Sequence, residues 1–108
     1  MDRIDISVIN RKKYKVLSGV KLGEAARNEF NLDLIDSQRN IVTIVIPDYV
    51  YSVNSSFFSG LFQQSIKKLG EHQFRKIYEF ECDEIIKMNI ENGISNIVKT
   101  FDLLGGQS

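Results

Sequence analysis

The sequence is poor in the residue types that build many catalytic and metal sites. Its 108 residues include one cysteine, Cys82, one histidine, His72, and no tryptophan. A single cysteine excludes an internal disulfide bond and a cysteine-rich zinc site. With one histidine and scattered carboxylates, no metal-ligand cluster is expected. We therefore expect no metal and no cofactor.

Net charge and long hydrophobic runs are also missing. The 14 lysines and arginines balance 14 aspartates and glutamates, so no global field attracts nucleic acid or an anionic membrane. No apolar stretch approaches the roughly 18 residues that a membrane-spanning helix needs, and no basic start precedes an apolar run. We expect a cytoplasmic protein with neither a nucleic-acid partner nor a membrane partner.

The domain organisation follows from what is present. Hydrophobic residues make up 43% of the chain, enough for one core without disulfides, and the only proline is Pro47. No repeat or linker divides the chain. We predict one domain over residues 1–104 and a frayed tail over residues 105–108.

The first elements are predicted to be a β-hairpin. Apolar and polar residues alternate over 4–9, which is the period of a half-buried strand. The basic turn Asn10-Arg11-Lys12-Lys13 leads to a second short strand over 14–17, so the pair is predicted to be antiparallel. The cations are interpreted as a charged turn, with contact to an acidic partner as the alternative.

Helices and strands then alternate. Apolar residues at helical spacing predict a first helix over 21–37, and the β-branched run 41–46 is typical of a central strand covered on both faces. A second helical stripe runs from Phe58 to Leu69, and Gly70 is placed as its left-handed C-terminal cap.

The last part of the chain is predicted to contain a strand and a helix. Residues 77–82 carry Glu79 and Glu81 among apolar residues, which indicates an edge strand or a strand with a partly solvated face, and Asp83 is predicted to cap a helix reaching Phe101. The whole order predicts an α/β fold with a mixed, mostly parallel sheet of about four strands and three helices.

A polar step, Asn54-Ser55-Ser56, separates the third strand region from the second helix. In one interpretation these residues only cap the helix, whose first turn has unpaired N–H groups. In another, a serine here accepts a phosphate, which the helix dipole tolerates and a docked partner does not. Phe57 and Phe58 cannot both lie on one core stripe. Phe57 is therefore either an exposed partner contact or, as we favour, packed under the loop or against the first helix.

These residues carry a resemblance. The block from strand 41–46 through Val53-Asn54-Ser55-Ser56-Phe57-Phe58 to Leu69-Gly70, followed by Phe74-Arg75-Lys76-Ile77, resembles the bacterial STAS-like domain family, relatives of the anti-sigma factor antagonists. The similarity covers residues 21–101. It implies a STAS-like fold and a non-enzymatic regulatory role, with an anti-sigma factor or a histidine-kinase-like ATPase as partner.

The resemblance also assigns site residues. Anti-sigma factor antagonists carry Asp-Ser-Ser-Gly, and the partner kinase phosphorylates the first serine. Asn54 here takes the place of the aspartate, Ser55 that of the phosphorylated serine, Ser56 that of the next serine, and Phe57 that of the glycine. The implied phosphorylation and partner-binding residues are thus Ser55, Ser56, Asn54 and Phe57.

Other interpretations stay open. The N-terminus of the second helix is a candidate anion site for a small-ligand-binding module or an enzyme. The acidic edge strand allows pairing with a second copy to form a homodimer. Ser55, His72 and Asp48 could be drawn as a hydrolase triad, although no Gly-x-Ser-x-Gly motif is present. Cys82, before a helix, is interpreted as inert packing, with a lowered pKa as the alternative.

Overall fold

The computed structural model describes residues 2–103, which form an α/β fold. The predicted tail and residue 104 lie outside the described residues. In chain order the elements are β1 (Asp2–Asp5), a 3₁₀ turn (Ile6–Val8), β2 (Val16–Leu17), α1 (Val20–Glu29), α2 (Leu32–Gln38), β3 (Val42–Val45), β4 (Ser52–Val53), α3 (Ser55–Leu69), α4 (Glu71–Ile77), β5 (Tyr78–Glu81) and α5 (Glu84–Leu103).

The main sheet has three parallel strands in the order β1-β3-β5. In its middle row Ile4 lies opposite Ile44, which lies opposite Phe80. The predicted central position of the β-branched strand and the edge position of the acidic strand are therefore confirmed. Within residues 2–103 five strands and five α-helices replace the predicted four strands and three helices.

The predicted N-terminal hairpin is wrong. β2 pairs in parallel with β4, where Val16 lies opposite Ser52, and it makes no ladder with β1. The alternating pattern predicts a strand over 4–9, but residues 6–8 form a 3₁₀ turn instead. The Asp5 side chain caps this turn by accepting a hydrogen bond from the Ser7 N–H. Alternation gives the period of a segment but not the strand with which it pairs.

The first predicted helix is two helices. Asn31 has φ of +53° and stops α1 before α2 begins. Asparagine tolerates the left-handed region because its short polar side chain can bond locally, so a break here needs no glycine. The apolar spacing continues through the break, which is why the sequence predicts one helix. Gly70 separates α3 from α4 and is the C-cap of α3, as predicted, but with φ of +82° and ψ of 159° it does not have the left-handed helical conformation that was expected.

Two helix contacts fix where α3 lies. A Cβ on Gly23 of α1 would collide with the Phe57 carbonyl, and a Cβ on Gly60 of α3 would collide with the Val20 carbonyl. The two backbones therefore touch at a glycine on each helix. On α5, Gly93 lies under the Phe58 ring. α3 is thus held between α1 and α5, with its N-terminus at the protein surface.

The central strand β3 is buried on both faces at Val42, Thr43 and Ile44, and Val45 is partly exposed. Val42, Ile44 and Tyr78 face the helices and belong to the core. On the other face Arg3 of β1 reaches across β3 to Glu81 of β5 through two hydrogen bonds of 3.0 and 2.9 Å, and both side chains are exposed. Thr43 is on the same face as Arg3 and is only 7% exposed, so the prediction that the central strand is covered on both faces is confirmed for Val42, Thr43 and Ile44. The Arg3–Glu81 pair lies on the face that carries Thr43.

Candidate functional site

Asn54 is the N-cap of α3. Its backbone is extended, and its Oδ1 accepts hydrogen bonds from the Ser56 N–H and the Ser56 hydroxyl, both at 2.9 Å. One unpaired donor of the first helical turn is thereby satisfied. The interpretation of the polar step as a helix start is confirmed, and the capping residue is the asparagine rather than a serine.

Ser56 ties this helix start to a neighbouring loop. Its hydroxyl donates to Asn54 and accepts a hydrogen bond of 2.9 Å from the Gly19 N–H, in the loop between β2 and α1. The start of the step is also joined to the end of β2, because the Asn54 N–H donates to the Leu17 carbonyl at 2.8 Å. The Ser56 hydroxyl therefore forms hydrogen bonds within the fold both as donor and as acceptor.

Ser55 differs from its neighbour. It is the first residue of α3 and is exposed. Within residues 2–103 no hydrogen bond joins its hydroxyl to another group. Of the two serines, only Ser55 presents a free nucleophilic oxygen to solvent at a helix N-terminus.

Phe57 is part of the core. Its side chain is 2% exposed, so the interpretation that it packs inside is the one observed, and it offers no side-chain surface to a partner. The exposed aromatic of the same strand-to-helix segment is Tyr51, at 61% exposure, with the Lys15 ammonium 5.2 Å from its ring centre. The partner-binding role given to Phe57 is corrected accordingly: it supports the site from below.

Two open depressions flank Ser55. One, of about 340 Å³, is polar and is lined on α5 by Asn89, Asn92, Ser95, Asn96 and Lys99. The other, of about 260 Å³, lies between α1, α3 and α5. Asn89 is already engaged, because its Oδ1 accepts the Val53 N–H at 2.7 Å. A deep cleft at this helix start, which would favour a ligand-binding protein or an enzyme, is not found within the described residues.

The hydrolase triad is wrong. Ser55 begins α3, whereas His72 lies in α4, beyond the far end of that helix. Fifteen helical residues separate the two ends of α3 by about 22 Å, so the serine and the imidazole cannot form a hydrogen bond. His72 is exposed and helical rather than part of a polar turn.

Cys82 and the metal-binding residue types give no site. Burial raises the pKa of the Cys82 thiol, which opposes a reactive thiolate at neutral pH. Among residues 2–103 no three metal-binding side chains come together. The same described residues contain no helix that is long and apolar enough to span a membrane.

The structure contains a buried polar network that the sequence does not predict. Asp36 accepts hydrogen bonds from Arg27 and Ser65, both at 2.8 Å, and from the Tyr78 hydroxyl at 2.6 Å. Arg27 also donates to the Leu61 carbonyl at 3.0 Å. Burial and then the bond to Asp36 raise the pKa of Tyr78. The network joins α1, α2, α3 and β5, and no local pattern could have revealed partners so far apart in sequence.

No family model, no curated protein and no solved structure matches this chain. The likeness to the STAS-like domains thus stays a prediction that depends on the residues of 41–77 and their spacing.

Proposed function

We propose that this chain is a non-enzymatic regulatory module that binds a protein partner around the start of α3 and is switched by phosphorylation of Ser55. One observation carries the proposal. Ser55 is exposed, and among residues 2–103 its hydroxyl is free. The residues on either side of it, Asn54 and Ser56, form hydrogen bonds within the fold.

The helix start is suited to an added phosphate. Unpaired N–H groups and the positive end of the dipole stabilise an anion at the first residue of α3. A phosphate would add about −1.5 to −2 charges to a surface that a partner must cover, so binding would be lost while the fold is kept. Ser56 is unsuited, because modifying its hydroxyl would remove the bond from the Gly19 N–H.

The proposed partner is the one that the family resemblance implies, an anti-sigma factor or a histidine-kinase-like ATPase that also acts as the kinase. The contact surface would include Ser55, the exposed polar residues of α5 such as Asn92 and Lys99, and Tyr51 on the preceding loop. Phe57 and Asn54 would act by holding that surface in place.

The test compares matched substitutions at the two serines. Ser55→Ala and Ser55→Asp should change the free energy of unfolding by no more than about 0.5 kcal/mol, since the side chain makes no contact that folding requires. Ser56→Ala should cost about 1 kcal/mol, because the Gly19 N–H loses its acceptor. Urea titrations followed by circular dichroism measure both changes.

Binding is tested in cells of the protein's own source. Tagged wild type and Ser55→Ala should co-purify with the same kinase-like protein, and Ser55→Asp should not. Mass spectrometry of the wild type should find phosphate on Ser55 and none on Ser56. An unmodified peptide together with equal capture by all three proteins would sink the proposal.

A second candidate function has one observation in its favour. The polar depression of about 340 Å³ beside Ser55 suits a small anionic ligand held at the N-terminus of α3. Saturable binding of inorganic phosphate that shifts the amide resonances of residues 55–57, with no co-purifying protein, would favour this candidate over the switch.

A further inference from the structure

The loop between the 3₁₀ turn and β2 has an unbalanced positive charge. Arg11, Lys12, Lys13 and Lys15 are four exposed cations within five residues. Among residues 2–103 none of them forms an ion pair, whereas Arg3, Arg27 and Arg75 each contact a carboxylate. The chain as a whole is neutral, so this excess is local.

Hydrogen bonds from Asn10 brace this loop. Asn10 is 4% exposed, and its side-chain amide donates to the Tyr14 carbonyl and accepts from the Tyr14 N–H, both at 2.9 Å. The Lys13 N–H donates to the Asn10 carbonyl at 2.9 Å, and Lys13 has φ of +54°. A loop fixed in this way loses little conformational entropy when it binds a partner.

An apolar pocket lies beside these cations. It has a volume of about 220 Å³ and is lined by Ile9, Tyr14, Leu17 and Leu22, with Arg11 and Lys12 also at its wall. The arrangement combines a cavity for one bulky apolar side chain with positive charges around it. None of these residues lines the depressions next to Ser55.

We propose that this basic pocket binds a short acidic peptide segment of a partner protein. One aliphatic or aromatic side chain of the segment occupies the pocket, and flanking aspartates or glutamates contact Arg11, Lys12, Lys13 and Lys15. The positive charges together with the apolar cavity favour this occupant, which offers both carboxylates and a bulky apolar side chain. Nucleic acid and lipid headgroups would meet the cations but present no side chain for an apolar cavity.

The probe is a fluorescein-labelled peptide, Glu-Asp-Leu-Asp-Glu, followed by fluorescence anisotropy at about 0.1 M salt, where the screening length is about 10 Å. It should bind the full chain saturably and weaken as salt screens the charges. The double variant Arg11→Glu with Lys12→Glu should bind at least about tenfold more weakly, because attraction is replaced by repulsion next to the pocket. A thermal melt checks that the variant is folded.

Two controls distinguish binding in the basic pocket from non-specific electrostatic attraction of the peptide. Lys67→Glu with Lys76→Glu, on exposed positions of α3 and α4, makes the same change in net charge and should leave binding within about twofold, since distant exposed charges are screened. Replacing the peptide's leucine by serine should abolish most of the binding.

Three results would overturn the proposal. These are equal affinity for the serine peptide, equal loss in the two double variants, and tighter binding of the loop to a single-stranded RNA or to phosphatidylserine vesicles than to the peptide. The experiment does not depend on Ser55, so it succeeds or fails independently of the proposed switch.

Discussion

Asp36 is the most constrained charged residue described. It has no solvent exposure, and both of its carboxylate oxygens accept hydrogen bonds from Arg27, Ser65 and Tyr78. Burying a charge is costly unless partners satisfy it, and here they come from three different elements. The carboxylate therefore helps to specify how α1, α3 and β5 meet.

Removing the Asp36 carboxylate should strongly destabilise the protein. Asp36→Ala is expected to lower the free energy of unfolding by about 3–5 kcal/mol, because Arg27 would stay buried without its main counter-charge. Urea denaturation measures the loss. Asp33→Ala is the matched control, since Asp33 also bonds Arg27 at 2.6 Å but is 78% exposed, and it should cost no more than about 1 kcal/mol. Equal losses would contradict this account.

The sequence predicts contacts within one helical turn better than contacts between residues that are far apart in sequence. The helix start at Asn54 and the cap at Asp83, whose Oδ1 accepts the Ile86 N–H at 2.9 Å, were predictable because a cap bonds within its own helical turn. The difference between Ser55 and Ser56 was not, because it depends on Gly19, far away in sequence. Asp36 was missed for the same reason.

At the scale of elements, the contact of α1 with α3 determines where the candidate site lies. Each helix contributes one glycine to a backbone contact, through which α3 approaches α1 more closely than side chains would allow. The site at the start of α3 is thus held by packing along the helix as well as by the Ser56 bond to Gly19.

Gly60→Ala should destabilise the protein although alanine favours helix by about 1 kcal/mol. The added Cβ meets the backbone of Val20 and Glu24, which cannot move aside as a side chain can, so a net loss of about 1–3 kcal/mol is expected. Gln64→Ala, exposed one turn later on α3, should change stability by less than about 0.5 kcal/mol. A stabilised Gly60→Ala in thermal unfolding would show that the helices are free to separate.

Elements with a strong pattern of their own were predicted well. β3, α3, β5 and α5 were predicted correctly in type and approximate position from β-branched runs, apolar stripes and caps. The hairpin and the single helix over 21–37 were wrong because strand pairing and a left-handed asparagine are decided outside the local pattern. Only a three-dimensional contact could distinguish those alternatives.

At the scale of the whole molecule, exposed ion pairs link distant parts of the chain. Hydrogen bonding and the charge of Arg3 hold the pKa of Glu81 below its ordinary value of 4.5, and Arg75 does the same for Glu91. A carboxylate whose pKa is lower in the folded state than in the unfolded chain stabilises the fold at pH values above its pKa in the unfolded chain. That contribution disappears as the pH falls through the lowered value.

Stability should therefore decline as the pH is lowered below about 4.5. Glu91→Gln should make this decline shallower, because the variant has no proton to bind at that position. Glu29→Gln is the control, since it makes the same change in charge at a residue that forms no ion pair within residues 2–103, and we expect it to alter the slope less than Glu91→Gln does. Urea midpoints at a series of pH values give the slopes, and identical slopes for both variants would refute the assignment.

The all-parallel pairing has a consequence for how fast the chain folds. Each strand pairing in residues 2–103 joins segments about 36 to 40 residues apart, as in Val16 with Ser52 and Asp2 with Val42. No hairpin can form early, so each pairing must first close a long loop at an entropic cost. The helices can form from local contacts. The apolar strand β3 stays exposed to water and to other copies of the chain until β1 and β5 have paired with it.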